Sequence, residues 1–215
     1  VLLPKNYGFA VGVAAGIEAL GSVNELLLLN PDAELGDFEL CALRAALNSR
    51  SLDGVAPLLV EPTGRLQVGA GGGSLSTWSF AVYFLGLAHL APFVRGISLT
   101  RRQSQTASRV RWLCAACLLL RGDAFSRFGP LPTDELVYGE DLAWGTAATA
   151  AGARLELIPS IKVTHRGGGS GGRELWSGAL ERLAVRRLGR IRGTAAVLIL
   201  RSGLGLRRLI GRRLI

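Results

Sequence analysis

The stretch Leu26-Leu27-Leu28-Leu29-Asn30-Pro31-Asp32 constrains this chain more than any other. Four consecutive leucines read as a strand laid into a core. Asn30-Pro31 ends it, because proline has no amide hydrogen to give to a ladder and starts a turn. Asp32 is thereby placed at the C-terminal end of a core strand, the edge at which open α/β sheets bind their ligands. Two later strings have the same character. Tyr138-Gly139-Glu140-Asp141-Leu142-Ala143-Trp144 sets a pair of acids beside an apolar segment, and His165-Arg166 precedes the glycine run 167–169. Acids and an imidazole at the ends of apolar elements read as a divalent-metal site with a separate base.

The remaining pattern predicts helices over 11–20, 37–47, 123–128 and 139–151, and strands over 26–29, 55–60, 112–120 and 154–164. Asp37 is a candidate N-cap, and Leu40, Leu43 and Leu47 share one helical face. Strands alternating with helices imply an α/β sheet. The glycine-rich run 69–74 lacks the Gly-Lys-Ser/Thr ending of a phosphate-binding loop, so it reads as a flexible connection. Residues 75–94 are apolar apart from His89 and several serines and threonines, and just long enough to span a bilayer. Gly86 and Pro92 interrupt them, however, and they lie between two site motifs, so a buried or amphipathic helix that touches lipid is expected instead.

Charge divides the chain. The formal net charge is +9, and residues 1–172 contribute none of it, with 14 basic and 14 acidic side chains. Residues 173–215 hold 11 arginines against Glu174 and Glu181, in what reads as two basic amphipathic helices with a break near Gly203 and Gly205. A neutral body with a basic tail implies an anionic partner, a membrane surface or a nucleic acid. Nucleic acid is disfavoured, because binding it calls for aromatic or base-reading residues among the charges and no aromatic lies between 177 and 215. Three cysteines without a secretory leader fit a reducing compartment. Cys114 and Cys117 open an apolar run and read as core rather than as a redox pair. The chain begins at Val1 and contains no methionine, which suggests a fragment, a processed chain or an unusual start codon.

The three strings, in this order, resemble the family 2 glycosyltransferases, most closely the bacterial rhamnosyltransferase-like branch. Asn6-Tyr7-Gly8-Phe9-Ala10-Val11-Gly12 is similar to the Asn-x-Gly-Phe-Ala-x-Gly stretch of that family, and Trp112 to Arg121 is similar to its Trp-x-x-Gly-Ala segment and following strand. The likeness runs from about residue 5 to about residue 170. Ala14 departs from it where relatives have asparagine, as does Ala115 where they have glycine.

The resemblance implies a GT-A, Rossmann-like α/β fold lacking its first β-α-β portion, with residues 1–172 as the catalytic domain and 173–215 as a basic helical tail. It implies inverting sugar transfer from a nucleotide-sugar such as dTDP-rhamnose to a cell-wall or polysaccharide acceptor, carried on a lipid. Asp32 would bind a divalent metal, Mg2+ or Mn2+, and His165 would complete its shell, with Glu34 a weaker candidate. Asp141 would be the catalytic base and Glu140 would orient it or touch the acceptor. Asn6, Gly8, Asn30 (at the first acid position of the family's Asp-x-Asp) and Trp112 would lie along the donor. Arg166 and Arg173 are candidates for phosphate. The enzyme would work in the cytoplasm, peripheral at the inner face of the plasma membrane. The alternative is an inactive remnant acting as a membrane-associated interaction protein.

Overall fold

The computed structural model describes residues 1–91, 93–106, 109–134, 138–167 and 172–209. Helix α1 (Phe9–Leu20) leads into strand β1 (Glu25–Leu29), a two-residue strand β2 (Ala33–Glu34) and helix α2 (Asp37–Ser49). Gly36, not Asp37, caps α2; Asp37 and Glu39 lie in the first turn, where the helix dipole favours acids. Strand β3 (Gly54–Val60) follows, then β4 (Gly71–Gly72), α3 (Thr77–Phe84), α4 (Leu87–Leu90), α5 (Arg101–Ser104) and β5 (Arg109–Val110). The expected strand 112–120 is two strands, β6 (Trp112–Leu113) and β7 (Cys117–Arg121), which belong to different sheets. The described chain closes with α6 (Ala124–Phe128), α7 (Glu140–Ala150), β8 (Leu155–His165) and α8 (Gly172–Leu209).

The main sheet runs β1-β7-β3-β8-β2, with β5 also on β8. Only β3 and β8 are parallel; the other pairings are antiparallel. The four leucines therefore form an edge strand, and only Leu26 and Leu28 are buried. Alternation sorts the central strands. Ala56 and Leu58 of β3 and Leu118 and Leu120 of β7 join the cluster under α1 and α7, whereas Val55, Leu59, Cys117 and Leu119 pack against Leu43 and Leu47 of α2. The result is a sheet with helices on both faces, as the alternating pattern demanded.

The glycine run proves to be packed backbone. Gly71 and Gly72 pair with Leu113 and Trp112, and a methyl group at Gly72 would stand 2.0 Å from the Ile97 carbonyl oxygen. Glycine is there because two backbones approach, not because the segment needs freedom. The apolar stretch after it breaks at Gly86, which is left-handed, into α3 and α4. No helix among the described residues is long and apolar enough to cross a membrane.

Helix α8 breaks at Gly189 (φ 77°, ψ 171°), not near Gly203. Its second limb returns along the first: Gly193 abuts Ala184 and Val185, and Arg201 forks onto Glu181 at 2.6 and 2.8 Å. The basic segment also packs against the rest of the chain. Leu180, Leu183, Ala196 and Leu200 share an apolar cluster with Phe80, Phe84 and Leu142. The chain divides by charge at 172/173, yet both parts meet in that cluster, and Ala196 and Leu200 are unavailable to lipid.

Candidate active site

Asp32 and His165 are 133 residues apart in sequence and are joined by the sheet. Strand β2 pairs with β8 so that Ala33 lies opposite His165. Asp32, one residue earlier, comes within 3.3 Å of the imidazole, Oδ1 to Nε2. The Arg166 amide donates to the Asp32 carbonyl at 3.0 Å and the Gly167 amide to its Oδ2 at 3.1 Å. Asn30 Nδ2 lies 3.5 Å from the same Nε2.

Gln67 determines what His165 presents. Its Nε2 donates to the His165 backbone carbonyl, which turns Oε1 toward the ring, 2.9 Å from Nδ1. An amide oxygen only accepts, so Nδ1 carries the hydrogen. In the neutral ring the Nε2 lone pair then faces the Asp32 carboxylate. Two electron-rich atoms at that separation repel unless a proton or a cation lies between them.

A divalent ion fits this donor set. Carboxylate and imidazole suit Mn2+ and Mg2+, and the hydrogen bond behind the ring is the usual support of a ligating histidine. No group of three His, Cys, Asp or Glu side chains gathers among the described residues. The remaining positions of such an ion would fall to water and substrate oxygens, as is common for ions bound through phosphates. Glu34 takes no part: it pairs with Arg166 at 3.1 Å.

Asp141 stands at the start of α7. Tyr138 (φ 71°) and Gly139 (φ 98°) are both left-handed, and this double turn swings the helix N-terminus into the cleft. A non-glycine residue there stores strain, which is common where a side chain must be presented. Asp141 Oδ1 accepts from the Leu142 amide at 2.7 Å and Oδ2 from the Ala115 amide at 3.2 Å. Burial nonetheless holds its carboxyl above the usual carboxylate range, the amide bonds and the Cys114 thiol opposing that shift. A carboxylate that binds its proton more tightly is a better base near neutrality.

His165 and Asp141 line one cavity of about 530 Å³, at the C-terminal edge of the parallel pair β3 and β8. Tyr138 of the Glu-Asp string also lines it, as do Gln67, Tyr83 and Trp176, and the motifs had marked none of these last three. Their signal is tertiary, for each sits in a different segment. Trp112 lines the cavity, but it is 7% exposed and its indole N–H is spent on the Ile97 carbonyl at 2.6 Å, so it offers an edge rather than an open face. Glu140 is buried beside Asp141 and is not part of the lining. Asn6 accepts from the Gly8 amide at 2.9 Å in an exposed turn that starts α1, and neither residue lines the cavity. Ala115 is buried in the core beneath α1 and α7, so its methyl group does not enter the cavity. Residues 168–171 and the side chain of Arg173 lie outside the described residues.

Burial raises both Cys117, to about 12, and Cys114. Both thiols stay protonated near neutrality, which fits core packing and not redox chemistry.

The chain has the GT-A fold of nucleotide-sugar transferases. It is similar to GalNAc-T7, solved with UDP, GalNAc and Mn2+, at 12% identity and a TM-score of 0.56, over 94% of this chain and 43% of that one. It is similar also to the mannosyltransferase PcManGT from Pyrobaculum calidifontis, solved with GDP-Man and Mn2+, at 13% identity and a TM-score of 0.54, over 99% of this chain and 58% of that one. The chain thus spans about half the length of the structures it matches. No protein-family model matches it, and no curated protein matches it in sequence.

Proposed function

We propose that the chain is the metal-binding and base-bearing part of an inverting glycosyltransferase that uses a nucleotide-sugar donor. The observation that carries this reading is the convergence of His165, with Asp32 beside it, and Asp141 on one cavity in a GT-A fold. Both named structures hold a nucleotide or nucleotide-sugar with Mn2+, which supports the same class of ligand here.

Asp32 and His165 hold the ion, which when bound supplies positive charge to the leaving diphosphate. Gln67 keeps the His165 lone pair forward. Asp141 takes the proton of an acceptor hydroxyl as its oxygen bonds to the sugar's anomeric carbon. The bond from that carbon to the diphosphate breaks, and the electron pair leaves with the diphosphate. A single displacement of this kind inverts the anomeric centre. The reading extends to rhamnose as the sugar, to the family 2 rhamnosyltransferase branch, and to a lipid-linked glycan acceptor at the cytoplasmic face of an anionic membrane. The motif order supports the first two and the arginine-rich end supports the last.

Calorimetric titration of the full chain with UDP, GDP and dTDP, each with and without Mn2+, tests it. Binding of at least one nucleotide should require Mn2+ and should be lost in Asp32→Ala. Binding that ignores the metal, or survives that substitution unchanged, would refute the assignment of the Asp32–His165 pair.

A further inference from the structure

Helix α3, Thr-Trp-Ser-Phe-Ala-Val-Tyr-Phe, contains no charged residue, and its inner side is buried among Phe80, Val82, Tyr83 and Phe84. Its outer side is apolar too. Trp78, Ala81 and Leu85, at the spacing of one helical face, turn outward, and Trp78 is 62% exposed. The same apolar character continues through Leu90 and Phe93, which are 85% and 84% exposed. A helix that is apolar all round belongs in a core or against another phase.

The end of α8 comes to the same place. Its second limb lies along α3, with the Thr77 hydroxyl on the Arg192 carbonyl and Gly203 against Phe84. Tyr83 is where the pieces meet. The Arg207 guanidinium lies 5.1 Å from its ring centroid and donates to its carbonyl, and Gly96 packs directly on its backbone. Leu85, Phe93, Leu206 and Leu209 are each within three residues of one of these contacts. Leu209 is 86% exposed and Arg208 beside it is also exposed.

Charge selects the occupant. Residues 62–122 contain seven arginines and no acid, and residues 182–215 contain ten arginines and no acid. The two segments that build this apolar end are thus the two longest acid-free stretches of the chain. A protein partner or a second copy would bring its own apolar surface but has no need of the exposed Arg95 and Arg208 beside the exposed Phe93 and Leu209. An anionic lipid surface needs both: apolar side chains that enter the headgroup boundary and arginines that meet the phosphates.

We propose that the outer side of α3, the α3–α4 corner and the end of α8 together form the seat of this protein on an anionic bilayer. This deepens the membrane part of the reading above and rests on that part alone, not on the sugar chemistry. Tyr83 lines the cavity, so the seat adjoins the wall of the candidate active site. A lipid-carried acceptor would reach the cavity from the surface on which the protein rests.

The test is sedimentation of the full chain with vesicles of phosphatidylcholine alone and of phosphatidylcholine mixed with phosphatidylglycerol. Binding should need the anionic lipid and weaken with salt. The exposed double variant Leu90→Ser, Phe93→Ser should bind at least about tenfold more weakly, as expected for two large side chains leaving an apolar phase. Phe38→Ser, equally exposed but on α2, should bind as the parent does. Equal binding of the double variant and the parent, or equal binding to neutral vesicles, would overturn the proposal. So would a parent that fails to sediment, or a dimer in light scattering that the double variant abolishes without any vesicle binding. Mn2+-dependent nucleotide binding, measured on the same proteins, should be unchanged in every variant, so loss of the seat and loss of the sugar-transfer reading are separate results.

Discussion

His165 Nε2 faces Asp32 Oδ1 across 3.3 Å because Ala33 and His165 are opposite each other in the β2–β8 ladder. The pair depends on a third residue, Gln67, whose amide is pinned at both ends by His165 itself. A two-residue strand and one glutamine thus turn two distant motifs into a single donor set.

Gln67→Leu should release the tautomer. Nitrogen NMR should find the parent's His165 protonated at Nδ1 when neutral and the variant's as a mixture, and assignment is simple because His89 is the only other histidine. Mn2+ affinity should fall about 10–100-fold, the usual loss when the support behind a ligating histidine is removed. A variant with the parent's tautomer and affinity would deny Gln67 its positioning role.

Asp141→Asn should separate chemistry from binding. Transfer should drop by about 10²–10⁴, the typical worth of a positioned base, while Mn2+-dependent nucleotide binding persists. The same substitution carries a stability signature. The folded state binds the Asp141 proton more tightly than the unfolded state does. No cost arises below the ordinary carboxylate pKa of about 4, where both states are protonated, and the cost grows as pH rises through the raised folded value. The variant should therefore melt above the parent at pH 7 and level with it near pH 3. Melting curves that run parallel at both values would show that burial is not what sets this carboxyl.

Two glycines should respond oppositely to alanine. At Gly72 the new methyl group would meet the Ile97 carbonyl oxygen at 2.0 Å, and a clash with backbone cannot be relieved by a rotamer. A loss of roughly 1–3 kcal/mol or more is expected in chemical denaturation. At Gly12, inside α1, nothing lies within 4 Å, and the change should stabilise by up to about 1 kcal/mol through helix propensity. Tolerance of alanine at Gly72 would mean that β4 and β6 are not the close pair described.

The sequence by itself determined the alternation of apolar strands and helices, the acids and imidazole at their ends, and the concentration of charge beyond residue 172. These are local properties: periodicity, proline and glycine chemistry, and composition are all readable within a few residues. Strand β3 and helices α1, α2 and α7 fell close to where the periodicity put them. Only the tertiary structure decided which ends meet. The register of β2 on β8 brought Asp32 to His165, and the left-handed turn at Tyr138–Gly139 aimed Asp141 into the same cavity. Gln67 was silent in the sequence because a lone polar residue in a loop has no period to betray it. The glycine run misled for a related reason. Glycine signals freedom and close approach alike, and only the position of Ile97 and Trp112 on the other side tells them apart. The amphipathic pattern of the basic segment shows that a helix has an apolar face, but not whether protein or lipid covers it. Here Phe80 and Phe84 cover Ala196 and Leu200, and the apolar residues left exposed lie at the far end, where two acid-free segments meet.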